Sequence, residues 1–320
     1  MKKDSSSFPS ATDGRYLFFE RDTLMKRIAI AMATSAMLVA PAIASEHGHS
    51  SHHGGAHSAH AVVADSVIAE QRTALAESTE GKGFGPQSPR DIDAIAGSNK
   101  RLFDAAPAYT AMNLCNIHFH KNAEHKGKDF STYAGNGNGE GYQSGYKYSG
   151  ELTKNEQKKY HHKVCNSTHS TLNVGDTIEV HYVHSTAQVI PGKGLGSCLS
   201  EAIKNPQLRV ETQVYVLVND KHALDFNKLT AYGKAASGLY QATGIPSNTG
   251  VPVQYEGSTT GPGYDEKGSP FQVTWSVRPH VAKVNIATVG KWCEGNNFKE
   301  DHGHGVRNLV VNPDLLSQIN

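Results

Sequence analysis

Apolar residues along this chain fall mainly at every second position, in runs too short and too evenly spaced for long helices. Residues 110–120, 176–186, 208–218, 270–279 and 281–289 each alternate apolar with polar side chains or are rich in β-branched and aromatic residues, which predicts strands. Long Gly-, Ser- and Asn-rich stretches separate them, notably 134–150 and 233–269, and read as loops. Helical spacing is rare. It is expected over roughly 62–78 and from Glu151 to His162, opening near Thr153. No internal repeat is visible, so the pattern predicts one mainly β domain within residues 62–320, its sheet beginning after Gly83.

The N-terminus breaks this pattern. Met25-Lys26-Arg27 starts a positive segment, Ile28 to Val39 is apolar, and Ala42-Ile43-Ala44 is a small-residue cleavage motif before Ser45. This reads as a secretory signal peptide over 25–44, too short for a membrane span and leaving no span once removed. Residues 1–24 are expected to be an over-extended start or a long polar lead-in. Residues 45–61 hold His47, His49, His52, His53, His57 and His60 among Ser, Gly and Ala, a composition that buries no core. They are expected to be a tail that either collects metal loosely or acts as an inert tether. The mature chain is thus expected in the periplasm.

Charge and cysteine count narrow the function. The 320 residues carry 31 basic and 30 acidic side chains, and no basic block argues for nucleic acid. All four cysteines, Cys115, Cys165, Cys198 and Cys293, follow the cleavage site and none forms C-x-x-C. In an oxidising compartment they predict up to two disulfides with three possible pairings, Cys115–Cys165 with Cys198–Cys293 being preferred. On a regular strand Cys115 has the opposite parity to His118 and His120, so its side chain is expected to point away from them.

The chemistry concentrates in "NLCNIHFHKNAEHKG", residues 113–127. On a strand His118 and His120 project to one face about 6–7 Å apart, while Ile117 and Phe119 pack on the other. A third imidazole is available in "TIEVHYVHST", residues 177–186, where Glu179, His181 and Val183 share a face. His181 completes a three-histidine set, with Glu179 placed to accept an imidazole N–H. Three histidines describe a catalytic zinc site rather than a closed four-ligand structural one. The alternative is two strands carrying surface histidines.

These residues resemble a known family. "IHFHKNAEH" and "IEVHYVH" look like the F-H-F-H and E-L-H-L-V-H strands of α-type carbonic anhydrases. "GPQSPRDID" at 85–93, "YEGSTTGP" at 255–262, "VTW" at 273–275 and "NNFKEDHGHGVRNL" from 296 are similar to further motifs of that family, in order. The loops after His120 resemble those of the bacterial δ class, and the likeness covers about residues 82–316. It implies a carbonic-anhydrase-like domain with a large, mostly antiparallel sheet and few short helices. It also implies reversible hydration of carbon dioxide to bicarbonate through a hydroxide on Zn2+ held by His118, His120 and His181. In that family zinc brings the pKa of its bound water to about 7, a known value that these residues do not by themselves establish. By the same resemblance Thr260 and Glu124 align the hydroxide, although Glu124 follows His120 more closely than in the α class. Val183 and Trp275 would wall an apolar pocket for carbon dioxide. His125, His161, His162, His169 and His184 are candidate proton shuttles. Competing readings are a cupin using His118, His120 and Glu124 as ligands, a copper–zinc superoxide dismutase, and a periplasmic zinc carrier.

Overall fold

The computed structural model describes residues 62–79, 90–93, 104–139, 141–260 and 268–306, with backbone only at a few helix and strand positions that include 257–260 and 268–272. The signal segment, the polar start and the His-rich tail lie outside the described residues.

The alternating runs become one six-stranded sheet. Its strands are β1 (Asn113–Lys121), β2 (Thr177–Ser185), β3 (Leu208–Val218), β4 (Val253–Thr260), β5 (Gly268–Val277) and β6 (Ala282–Asn285). Their order is β4-β5-β3-β2-β1, with β6 also on β3. Pairs β1–β2, β2–β3 and β4–β5 are antiparallel, whereas β5 and β6 run parallel to β3. The sheet is therefore mixed, with antiparallel pairing predominant. The helices are α1 (Asp65–Thr79), α2 (Phe226–Leu229) and α3 (Ile286–Glu294). No described helix is long and apolar enough to cross a membrane.

Both faces of β2 and β3 are covered, which is why all their residues are buried. On the back face, Ile117, Phe119, Ile178, Val180, Tyr182, Tyr215 and Leu217 pack against Phe226, Val289, Trp292 and Phe298. On the front face, Val183, Val210, Val214, Tyr255, Val273 and Trp275 form a second cluster that also holds Cys115 and Cys198. Fully burying one such large apolar side chain contributes roughly 1.5–3 kcal/mol. The two clusters thus sandwich the strands that carry the histidines.

Three expectations about the elements are corrected. Residues 281–289 are not one strand: β6 ends at Asn285, whose side chain accepts a hydrogen bond from Ala287 N and caps α3. The stretch 151–162 is not a helix. Thr153 and Glu156 do form the reciprocal cap of a helix start, through Thr153 N to Glu156 Oε2 at 2.7 Å and Glu156 N to Thr153 Oγ1 at 3.3 Å. Glu156 is then bound by Lys283 and the chain leaves after one turn, because Tyr160 packs onto the back core instead. The region 233–269 contains β4 as well as the short pair Tyr232–Lys234 and Tyr240–Ala242.

The disulfides are Cys115–Cys198 and Cys165–Cys293, not the expected pairs. The reason is a bulge in β1. Leu114 pairs with His184 and Asn116 with Val183, so Cys115 has no partner on β2 and the parity of β1 flips there. Cys115 consequently faces the front cluster, on the same side as the histidines and next to Cys198, rather than away from them.

Candidate metal centre

Register builds the site. In the β1–β2 ladder His118 stands opposite His181, and His120 opposite Glu179. Ring centroids of His118, His120 and His181 lie 4.7–5.3 Å apart, and one nitrogen from each falls within 4.8 Å of the others.

The outward nitrogens decide which lone pairs point inward. Asn116 donates its amide N–H to Gly192 O at 2.8 Å, so its oxygen faces His118 and accepts from Nδ1 at 2.6 Å. His120 Nδ1 donates to Gly305 O at 2.8 Å. His181 Nε2 donates to Glu179 Oε1 at 2.7 Å. That leaves Nε2 of His118, Nε2 of His120 and Nδ1 of His181 as acceptors facing one another, with the His118 and His181 nitrogens 3.2 Å apart. Gly305 must be glycine for its carbonyl to reach His120, since a Cβ there would sit 1.8 Å from Gly141 O.

Electrostatics hold the His118 and His120 rings neutral. Burial, then the fields of His181, His304 and His120, lower the His118 pKa well below 6.5. Burial and His181 likewise bring His120 down to about 3. Neutral imidazoles with convergent lone pairs fit a borderline-soft divalent metal, and this donor set suits zinc.

Behind His181 runs a buried chain. Glu179 Oε1 also accepts from His125 Nδ1 at 2.8 Å, Oε2 accepts from His125 N at 3.1 Å, and His125 Nε2 is hydrogen-bonded to Tyr255 OH at 2.6 Å. Burial alone would raise the Glu179 pKa. The field of His125 and hydrogen bonds from His125 and His181 outweigh it and keep the carboxylate well below its usual range. Trp275 packs edge-on against both His125 and His181, at 5.0 and 5.1 Å.

Glu124 lies beside the set, its Oε2 3.9 Å from His120 Nε2. The side chain of Thr260 lies outside the described residues; its backbone ends β4 opposite Gly268. Val183 is buried against Val210 on the same face as His181. Of the shuttle candidates, His125 is locked behind the site and His184 is on the back face. His161, His162 and His169 are exposed. The histidine that does reach the site is His304, whose ring lies 5.2 Å from His118 and 5.7 Å from His120. Sequence reasoning did not single out Asn116, Tyr255, His304 or Gly305. Asn116 was signalled by sharing the His118 face two residues away, and His304 by the H-x-H in the C-terminal motif.

A family model described as delta carbonic anhydrase matches residues 109–288, more than half of the chain. Solved structures that resemble it include an alpha-carbonic anhydrase from Photobacterium profundum, at 14% identity, TM-score 0.24, covering 75% of this chain and 91% of that one. Another is the alpha-carbonic anhydrase from Thermovibrio ammonificans in complex with sulfanilamide, at 13% identity and TM-score 0.23, covering 75% and 89%. No curated protein matches significantly. The assignment rests on the family model, whose match includes β1, β2 and all three converging histidines. This chain belongs to the delta carbonic anhydrase family and is a carbonic anhydrase.

Proposed function

We propose that the protein reversibly hydrates carbon dioxide to bicarbonate and a proton, using zinc held by Nε2 of His118, Nε2 of His120 and Nδ1 of His181. The convergence of three imidazole lone pairs, each fixed by a partner on its other nitrogen, carries this reading. Three protein ligands are the number used by catalytic rather than structural zinc sites. When bound there, zinc supplies Lewis acidity that makes water a nucleophile at neutral pH.

The chain's own residues do the rest. Glu179 keeps the His181 proton on Nε2, so Nδ1 remains a ligand through turnover. The Glu124 carboxylate accepts a hydrogen bond from the Thr260 hydroxyl, which leaves the Thr260 oxygen as an acceptor for the nucleophile's hydrogen and so orients the nucleophile toward carbon. Carbon dioxide carries no charge, so Val183 and Trp275 bind it by dispersion and exclude water beside the ion. Glu124 lies outside the converging set, which favours this reading over a cupin-type ligand trio of His118, His120 and Glu124. The two disulfides support an oxidising compartment, in keeping with export through residues 25–44 and a periplasmic mature chain from Ser45. The His-rich tail, residues 45–61, is then dispensable for turnover when zinc is plentiful.

Metal analysis with a stopped-flow hydration assay tests this. The wild type should hold tight zinc and hydrate carbon dioxide, and His181→Ala should lose both. Tight zinc without hydration in the wild type would point instead to a zinc carrier. Full occupancy and activity in His181→Ala would remove His181 from the ligand set.

A further inference from the structure

The loop 187–198 has the sequence "AQVIPGKGLGSC" and offers little to hold itself in place. Gly192, Gly194 and Gly196 punctuate it, Gly194 sits at φ +61°, and Ile190 is largely exposed. It is fastened along β1: Asn113 Nδ2 donates to Val189 O at 2.9 Å, Val189 and Leu195 pack on the front cluster, and the remaining contacts gather at the bulge three residues before His118. Gly192 N donates to Cys115 O at 2.9 Å, and the single Ser197 hydroxyl proton is shared between Gly194 O at 2.6 Å and Cys115 O at 2.8 Å. Ser197 Oγ also lies 3.1 Å from Gly192 O, the carbonyl that receives the Asn116 amide. Ser185 Oγ donates to Cys198 O at 2.7 Å. The covalent clasp is the Cys115–Cys198 disulfide, with both residues fully buried.

We propose that this disulfide is a positioning device of the metal centre: by clamping the 187–198 loop over the bulge it fixes the orientation of the Asn116 amide, and through it the His118 nitrogen that faces the metal. The proposal rests on His118 being a ligand. Gly192 O can only accept, so while it is in place Asn116 must present nitrogen to the loop and oxygen to His118. Release the loop and the amide can turn end for end. Its N–H then meets His118 Nδ1, which becomes an acceptor, and the proton moves to Nε2. The lone pair needed by the ion is lost without any ligand being removed.

The second disulfide is an internal control. Cys165–Cys293 ties the segment after Tyr160 to α3 on the back of the sheet, in the cluster of Phe119, Val289 and Trp292, and joins no hydrogen bond to the three histidines or Asn116. A disulfide that matters only for stability should behave like this one.

The experiment uses the full chain, with the tight zinc site titrated against a chelator strong enough to strip the tail histidines. Cobalt(II) replaces zinc for the visible spectrum, and thermal unfolding is followed alongside. Cys115→Ala with Cys198→Ala should weaken zinc about 10–100-fold, the scale for losing an outer partner of a ligand, and change the cobalt spectrum. Cys165→Ala with Cys293→Ala should melt earlier yet leave zinc affinity and spectrum unchanged. Asn116→Ala should weaken zinc similarly, and adding it to the Cys115/Cys198 pair should bring little further loss, because both act through one contact. Ser197→Ala keeps the disulfide and loosens only the loop, so it gives a smaller loss in the same direction even if the cysteine pair variant does not fold. A Cys115/Cys198 variant with wild-type affinity and spectrum, a Ser197→Ala variant indistinguishable from wild type, or losses that add independently would overturn the proposal. A wild type with no tight zinc site would instead overturn the reading of the metal centre itself.

Discussion

His118 and His120 remain neutral at a pH where a free imidazole begins to charge, and their remote nitrogens are already committed to Asn116 and Gly305. What separates a ligand from a partner at this scale is where its atoms converge. Glu124 sits 3.9 Å from His120 but outside the set, so Glu124→Gln should keep zinc bound and lower hydration by roughly 10²–10⁴-fold, the range for a positioned catalytic partner. Loss of zinc in that variant would make Glu124 a ligand. His184 shows the other fate of a histidine on β2. It is fully buried on the back face, Nδ1 donates to Tyr182 O at 3.0 Å, and Nε2 has no partner among the described residues. Burial brings its pKa from 6.5 to about 4, against the opposing pull of the hydrogen bond to the Tyr182 carbonyl and with a lesser lowering from the nearby Arg209 charge. The unfolded chain therefore takes up this proton first. The stabilising contribution is full above pH 6.5 and is lost as pH falls toward 4, amounting to about 3 kcal/mol. His184→Gln should flatten the pH dependence of urea unfolding across that window by close to one proton, relative to wild type at the same metal loading. An unchanged slope would mean that His184 titrates alike in both states.

Elements were legible where periodicity and burial agreed. β2, β3 and the strand bearing His118 and His120 appear nearly at their expected bounds, and the three histidines meet because a period of two leaves no choice of face. Reading failed where a local signal was overridden from a distance. The Thr153–Glu156 cap formed without its helix because Lys283 and the back core claimed Glu156 and Tyr160. β4 was hidden in a polar Gly-rich stretch because it pairs on one side only, at the sheet edge, and needs no continuous apolar run. The apparent strand 281–289 was two elements, since Asn285 caps α3 in the middle of an apolar pattern. The bulge at Cys115 was the costliest omission. One extra residue reversed the face of every position before Asn116, and no composition announces it. Gly305 was equally unreadable, because its carbonyl reaches His120 across 185 residues of sequence.

The whole molecule draws its metal centre from distant stretches of chain: 116–125, 179–181, 192 and 305. No fragment of the fold holds all of them. The disulfides have the same non-local character, because the loops they close, Cys115–Cys198 and Cys165–Cys293, interleave rather than nest or follow one another. If the chain is exported as proposed, its thiols leave the translocation pore in the order 115, 165, 198, 293. An oxidant that joins them as they arrive makes the first with the second, which is a bond the native protein does not contain. Correct maturation must then proceed by thiolate attack on that early bond and reshuffling. Reduced, unfolded protein given oxidant alone should recover little zinc-dependent hydration. The same protein with a glutathione redox buffer and a disulfide isomerase should recover most of it, with peptide mapping showing the interleaved pairs replace Cys115–Cys165. Equal recovery without exchange would mean that folding brings Cys115 to Cys198 before any oxidation occurs. Where exchange is required, the supply of active enzyme is set by the isomerising capacity of its compartment as well as by zinc, and a cell rich in oxidant but poor in isomerase would accumulate a full-length, fully oxidised and inactive chain.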